Sequence, residues 1–301
     1  MLNTGNMLFL YAETPFHPGA SSSAGYVDLP VQRETHTGFH MFQASGLKGV
    51  LREAVKSKQD KKYADIVFGP DSADHAGCIS VGDARILLFP VRSLKGVFAW
   101  VTFPMVLQRL LRDYNACFRK DVDLKIPAIA ENEAHIHDKM SVLDVGNQQV
   151  ILEEYEFKSV KDAEVDILAN WLKANSFPKQ PEYEAWRERL NPQLAIVSDD
   201  AFSTFVNFNT MVVNRTKLHN DRKVVVGGAL WTEEHLPPDT LMNAPIFASK
   251  PRVDKDPSPD IDSAGKVLQW LSQKCEGRIL AGGDETVGRG MLYARFNGGA
   301  E

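Results

Sequence analysis

The residues with the most chemical potential lie in GYVDLPVQRETHTGF, positions 25–39, where Asp28 is a carboxylate in a stretch that fits neither a helix nor a strand. Val27, Leu29 and Val31 alternate like a strand face, but Pro30 removes a ladder donor and demotes the run to an edge or a loop. Loops of this kind often carry function. Read from the residues alone, Asp28 is first a solvated or turn-forming aspartate, since a motif match without context is weak, and His17, His36 and His40 flank it in sequence. These histidines do not make a metal motif. His36 and His40 share a face only on a helix, Thr37-Gly38-Phe39 disfavours one, and no HExxH frame exists. His17, before Pro18, is open to packing or to acid/base work. His135 and His137, in an acidic polar stretch, are expected to be solvated.

A second stretch, AGGDETVGRG at 281–290, has the glycine content of a nucleotide loop. It fails as a P-loop because Arg289-Gly290 stands where Lys-Ser/Thr should follow Gly288, and it fails as a dinucleotide fingerprint because no βαβ unit follows. What remains is a glycine-permitted turn whose exposed N–H groups and Arg289 suit a phosphate backbone, weighed equally against a turn that simply needs positive φ. A third stretch adds charge: from Ser45 to Lys62 six basic residues (Lys48, Arg52, Lys56, Lys58, Lys61, Lys62) face Glu53 and Asp60, a local excess of four positive charges. If the fold joins these two elements, a polyanion is the economical ligand.

The positioning elements follow from periodicity. MLFLYAET, residues 7–14, suits a buried strand ended by Pro15 and Pro18. Ser45 is expected to cap a helix running to Ser57, with Leu47, Val50, Leu51, Ala54 and Val55 on one face and Lys48 and Arg52 on the solvent side. ISVGDARILLFPV, residues 79–91, reads as a strand bulged at Gly82. A strand over 97–103 and an amphipathic helix through Leu107, Leu110, Leu111, Tyr114 and Phe118 come next. The polar segment 121–191, with helices near Val165–Leu172 and Trp186–Leu190, reads as an elaboration on a core and not a separate domain. Residues 211–231 predict a hairpin with a polar turn at His219-Asn220-Asp221, 261–275 a helix, and 291–296 a closing strand. DKDPSPD, 254–260, reads as a mobile loop. This order favours an α+β protein with a ferredoxin-like sheet over a doubly wound parallel one.

Composition sets the class. With 301 residues, 44% hydrophobic and 24% charged, the chain is globular. Cys78, Cys117 and Cys275 are widely spaced without a CxxC, so no disulfide framework or cysteine zinc site is indicated, and a reducing cytoplasm is the natural compartment. No signal peptide is evident, and the longest apolar run, 97–107, contains Pro104 and is too short to span a bilayer. The net charge of −5 argues against holding nucleic acid by bulk attraction alone.

Taken in order, TPFHPG, GYVDLPVQRETHTGF, GLKGVLR, FGP, NRTKL, GGALWTEEHLP and GGDETVGRG resemble the RAMP superfamily of CRISPR proteins. Within it the likeness is to the repeated backbone subunit of type III-B (Cmr) effector complexes, the related type III-A backbone subunit being the alternative. The resemblance implies a single domain over 1–301 with a ferredoxin-like (RRM-derived) palm, a helical insertion at about 120–191 and a thumb hairpin at about 212–234. It implies a filament along a guide RNA, whose thumbs displace bases of the guide–target duplex. The implied partners are the CRISPR guide RNA, target RNA, further copies of the chain, and other Cmr subunits including the large polymerase-like and small helical ones, with no membrane.

By similarity Asp28 is the residue required for target-RNA cleavage, in a magnesium- or manganese-dependent reaction that uses the ribose 2′-OH and for which Asp28 is also the implied metal ligand. His17 and Glu234 are weaker catalytic matches. Arg33, Ser45, Lys48, Gly49, Arg52 and Arg215 match the RNA-binding surface, together with Gly282, Gly283, Thr286, Gly288, Arg289 and Gly290. His40 departs from the family, which commonly has Pro there. A filament subunit needs a basic groove and not a basic protein, which reconciles the acidic net charge with RNA binding. A purely structural guide-binding subunit and a stand-alone metal hydrolase are the competing functions.

Overall fold

A computed structural model describes residues 4–21, 25–57, 61–253 and 258–297. The apolar run MLFLYA lies in strand β1 (Thr4–Ala12), which is buried throughout after Thr4. A strand apolar on both faces belongs in the interior of a covered sheet, and β1 has an antiparallel partner on each side. The chain continues through β2 (Met41–Phe42), α1 (Ala44–Ser57), α2 (Lys61–Phe68), β3 (Ile79–Val81), β4 (Ala84–Arg92), β5 (Phe98–Thr102) and α3 (Pro104–Phe118). The middle third holds β6 (Glu133–His137), β7 (Asp144–Gly146), β8 (Gln149–Leu152), β9 (Tyr155–Asp162), α4 (Ala163–Asn175), α5 (Glu184–Gln193), β10 (Leu194–Ile196) and α6 (Asp199–Phe208). The last third holds β11 (Met211–Leu218), β12 (Val225–His235), β13 (Leu241–Ala248), α7 (Ala264–Cys275), β14 (Gly277–Leu280) and β15 (Met291–Asn297).

These strands make one mixed 13-stranded sheet in the order β14-β15-β1-β13-β4-β5-β10-β6-β9-β8-β7, with β2 on β4 and β3 on β13. Around β1 the pairing is antiparallel, and the parallel ladders are β5–β10 and β6–β9. Helix α3 lies against β1 and β13, while α1 packs on α7 and α7 on β13. The hairpin β11–β12 is a separate two-stranded sheet. Val212 pairs with Glu234 at its base, and His219 N–H bonds to Val224 O across its tip.

Several expectations change. Ser45 lies in the first turn of α1 and does not cap it; the Ala44 amide donates to the Asp83 carboxylate at 2.8 Å instead. The 79–91 run breaks into β3 and β4 at Gly82, where a Cβ would meet the Pro245 side chain at 2.8 Å. Segment 121–191 holds the two expected helices but also four strands, β6 to β9, that extend the main sheet. His135 and His137 are buried, not solvated: their Nδ1 atoms lie 2.7 Å from Asp162 and 3.0 Å from Asp166. The acidic residues that make this stretch look like a wet surface are the histidines' partners. Residues 254–257 of the DKDPSPD loop and Lys58 lie outside the described residues, as do the side chains of Lys61 and Lys62. Among the described residues no helix is long and apolar enough to cross a membrane.

Candidate active site at the base of the hairpin

Strand alternation gives the end of β12 two chemically different faces. Thr232 and Glu234 point one way and Trp231, Glu233 and His235 the other. The Asp28 loop closes against this end through a parallel bridge between Leu29 and Glu233. Leu29 N–H donates to Thr232 O, and Glu234 N–H donates to Leu29 O, both at 3.0 Å. Pro30 permits this short edge pairing, since a longer ladder would need the N–H it lacks.

On the first face Asp28 is solvent-exposed, and its Oδ2 accepts from the Thr232 amide at 2.8 Å and the Thr232 hydroxyl at 2.9 Å. These bonds, the backbone one foremost, hold the carboxyl below its ordinary value, so it is ionised at neutral pH. Glu234, two residues along, is buried and surrounded. It takes Arg33 Nη2, the Val31 amide at 3.0 Å and the Thr210 hydroxyl at 2.9 Å, and His40 Nε2 lies 3.4 Å away. Burial alone would raise its pKa; the His40 ring, the Val31 amide and the Arg33 charge outweigh that and hold it at about 2. His40 is thus a buried part of this network, and burial keeps its own pKa low.

The QRE run anchors the loop residue by residue. Gln32 donates to Gly19 O and accepts from the Gln43 amide, Arg33 also donates to Gly38 O and Asn207, and Glu34 pairs with Arg85 at 3.0 Å and Arg109 at 2.9 Å. The loop therefore has a fixed frame with Asp28 at its exposed edge.

His17 joins the two faces. Its Nδ1–H donates to the Glu234 carbonyl at 2.6 Å, and its ring centroid lies 5.3 Å from that of His235. The glycine loop packs directly upon it: Gly283 N–H donates to His17 O, and Gly290 N–H to Pro15 O. The amides of Ala281, Val287, Gly288 and Arg289 likewise bond to backbone carbonyls. Most of the N–H groups expected to meet phosphate are therefore turned inward. The glycines are there for close approach, since a Cβ on Gly282 would lie 2.4 Å from His17 O and one on Gly290 1.9 Å from Ala281 O.

The second face gathers around Arg215 three residues that sequence reasoning left aside, Glu233, His235 and Asp284. Arg215 on β11 bonds Glu233 at 2.8 Å and Asp284 of the glycine loop at 3.3 Å, while Trp231 Nε1–H donates to the other Glu233 oxygen at 2.7 Å. His235 Nε2 stands 3.4 Å from Asp284 and 3.9 Å from Glu233. Among the described residues this is the group of three donors able to hold a metal ion; Asp28, the expected ligand, has no such company and by itself does not fit a resident ion.

The expected RNA-binding cations divide into two sets. Arg33 and Arg215 are held in the pairs above, and Arg52 bonds Asp65 and Asp71, each at 2.9 Å. Lys48, half-buried on α1, and Arg289 have no ion pair among the described residues. Ser45 and Gly49 are exposed on the same helix, and Thr286 and Gly288 are exposed in the glycine loop.

The chain as a whole has known relatives. The RAMP superfamily model matches residues 9–293. The chain belongs to the RAMP superfamily. It is 38% identical over 289 residues to the CRISPR system Cmr endoribonuclease Cmr4 of Pyrococcus furiosus, covering 94% of this chain and 92% of that one. It is 27% identical over 311 residues to the CRISPR system CMR subunit Cmr4 of Saccharolobus solfataricus, covering 96% and 95%. The crystal structure of oligomeric Cmr4 from Pyrococcus furiosus superposes with a TM-score of 0.74 at 32% identity, over 98% of each chain. A chain of the type III-B Cmr-beta complex bound to cognate target RNA shares the fold, with a TM-score of 0.72 at 20% identity over 97% and 96%.

For this RAMP chain the available sequence signal was WTEEH. Read as a strand end, it places Glu233 with His235 and Glu234 with Thr232. Asp284 had no such signal, because its approach to His235 depends on the loop's packing over residues 14–19.

Proposed function

We propose that this RAMP chain is a backbone subunit of a type III-B CRISPR ribonucleoprotein, lying along guide RNA with further copies of itself and cleaving complementary target RNA at regular intervals. Identity of 38% to an endoribonuclease across nearly the whole chain supports the activity. The site observation that carries it is Asp28: ionised, exposed, and clamped by Thr232 at the base of a projecting hairpin. On this reading β15-β1-β13-β4, with α1 following β1 and α7 following β13, is a ferredoxin-like palm, residues 120–191 are an insertion into a single domain, and β11–β12 is the thumb. The exposed Val212, Leu218, Val224, Val225 and Leu230 on the hairpin suit a wedge between stacked bases. The guide and target RNAs and the other Cmr subunits, the large polymerase-like and small helical ones among them, are its partners, in the cytoplasm.

In the cleavage step the ribose 2′-oxygen attacks the adjacent phosphorus and the P–O5′ bond breaks, leaving a 2′,3′-cyclic phosphate and a 5′-hydroxyl. A carboxylate held below its ordinary pKa is a weak proton acceptor. Asp28 therefore orients the 2′-hydroxyl and favours its attack, more than it removes the proton outright. Glu234 holds the loop that presents Asp28, and His17 holds the glycine loop behind it. Magnesium or manganese belongs to the proposed reaction, with Asp28 too sparse a donor set to cage the ion alone.

The test is the complex assembled with Asp28→Ala and incubated with matched RNA and magnesium or manganese. Regularly spaced target fragments disappear, a loss of about 100-fold or more in rate, while guide and target stay bound. Cleavage at the wild-type rate refutes the assignment and leaves a structural guide-binding subunit.

A further inference from the structure

The second face of β12 holds a donor set that the cleavage reading does not use. Glu233 and His235 stand two residues apart on one strand face, 5% and 0% exposed, and Asp284 closes over them from the glycine loop. Their ligating atoms lie within 4.8 Å of one another. Donors at about 2.1 Å from a common ion lie roughly 3–4 Å apart, and the 3.4 and 3.9 Å separations from His235 Nε2 already fall in that span. The Trp231 indole fixes one Glu233 oxygen and leaves Oε2 turned toward the cluster, as partners behind metal ligands do.

His235 is the observation that points to a ligand. Its ring is fully buried, Nδ1 has no hydrogen-bond partner, and Nε2 has only the 3.4 Å approach to Asp284. A buried ring nitrogen with no partner is costly. Arg215 meanwhile bridges the two carboxylates.

We propose that Glu233, His235 and Asp284 form a binding site for a first-row divalent transition metal, and that the Arg215 guanidinium stands in for that cation when the metal is absent. One imidazole with two carboxylates suits manganese or zinc over magnesium, which favours an all-oxygen octahedral shell. This assignment does not rest on the Asp28 reaction. Because metal and guanidinium compete for the same oxygens, loading the site frees Arg215 on the hairpin arm.

The experiment titrates the purified full-length chain with Mn2+ and follows the free-ion signal by electron paramagnetic resonance, with circular dichroism confirming that each variant is folded. The wild type binds one ion, zinc displaces it, and a tenfold excess of magnesium does not. Glu233→Gln combined with Asp284→Asn weakens binding by about 10-fold or more, whereas Arg215→Gln tightens it severalfold by removing the competitor. No binding by either the wild type or Arg215→Gln overturns the site and leaves a salt-bridge cluster. Binding that survives the double substitution, or that fails only in Asp28→Asn, places the ion elsewhere and also overturns it. Equal displacement by magnesium overturns the stated preference.

Discussion

Three glycines matched to the RNA-binding surface occupy sites with different physical demands, and replacing each by alanine separates those demands. At Gly49, inside α1, nothing lies within 4 Å of an added Cβ. Gly49→Ala should therefore stabilise the chain by about 1 kcal/mol through helix propensity. Gly288 has φ +78 with open space around it, so Gly288→Ala should cost only the left-handed backbone, roughly 1–2 kcal/mol. Gly290 has φ +73 and would place its Cβ 1.9 Å from the Ala281 carbonyl oxygen. Relieving that overlap must separate Gly290 from Ala281 and Pro15, to which it is tied by hydrogen bonds of 2.9 Å each. With the dihedral term and about 1 kcal/mol for each bond, Gly290→Ala should lose roughly 3–4 kcal/mol. Urea titration followed by circular dichroism reads the series as midpoints in the order Gly49→Ala, wild type, Gly288→Ala, Gly290→Ala. A Gly290→Ala midpoint at or above that of Gly288→Ala would refute the argument that close backbone approach, and not φ alone, selects glycine there.

Lys48→Glu should weaken guide-RNA binding across all guide sequences and lower the salt-dependence slope by about 1, because a lysine on an exposed helix face meets phosphate and not bases; a filter-binding loss confined to particular guides would contradict it. Glu34 is buried, and although burial raises its pKa, the Thr37 and Arg109 hydrogen bonds and the Arg109 and Arg85 charges bring it below the ordinary value. Its stabilisation is thus present above the unfolded carboxyl pKa of about 4.3 and is lost as pH falls through the lower folded value. Glu34→Gln should be less stable than wild type at pH 7, with the gap closing below about pH 4 in parallel urea melts; a gap that widens in acid would count against the pairing.

The local elements were largely legible. Leu47, Leu51 and Val55 mark the buried face of α1, and the Pro104 that ends the preceding apolar run begins α3 as its first residue. The hairpin was legible from two β-rich arms around a polar turn, but its register, which pairs Val212 with Glu234, comes from the structure. The strands β6 to β9 were not. Their charged residues read as solvated because the ladders that bring Asp162 beside His135 join segments far apart in the chain. The two readings of the glycine loop stayed open for a related reason: exposed amides and inward-turned amides have the same sequence, and only its packing on residues 14–19 separates them.

The amino-acid order by itself determined most of the elements and the membership signalled by the GYVDLPVQRETHTGF and GGDETVGRG motifs, because periodicity and motif wording are properties of neighbours along the chain. The tertiary structure decided which face each group of WTEEH serves. The loop at residues 28–31 claims Thr232 and Glu234, and the glycine loop claims Glu233 and His235. It also decided which cations are free: Arg33, Arg52 and Arg215 are paired with carboxylates brought from elsewhere in the chain, while Lys48 is not. Charge type is written in the sequence, but whether a charge is neutralised depends on distances of a few ångströms that only folding sets.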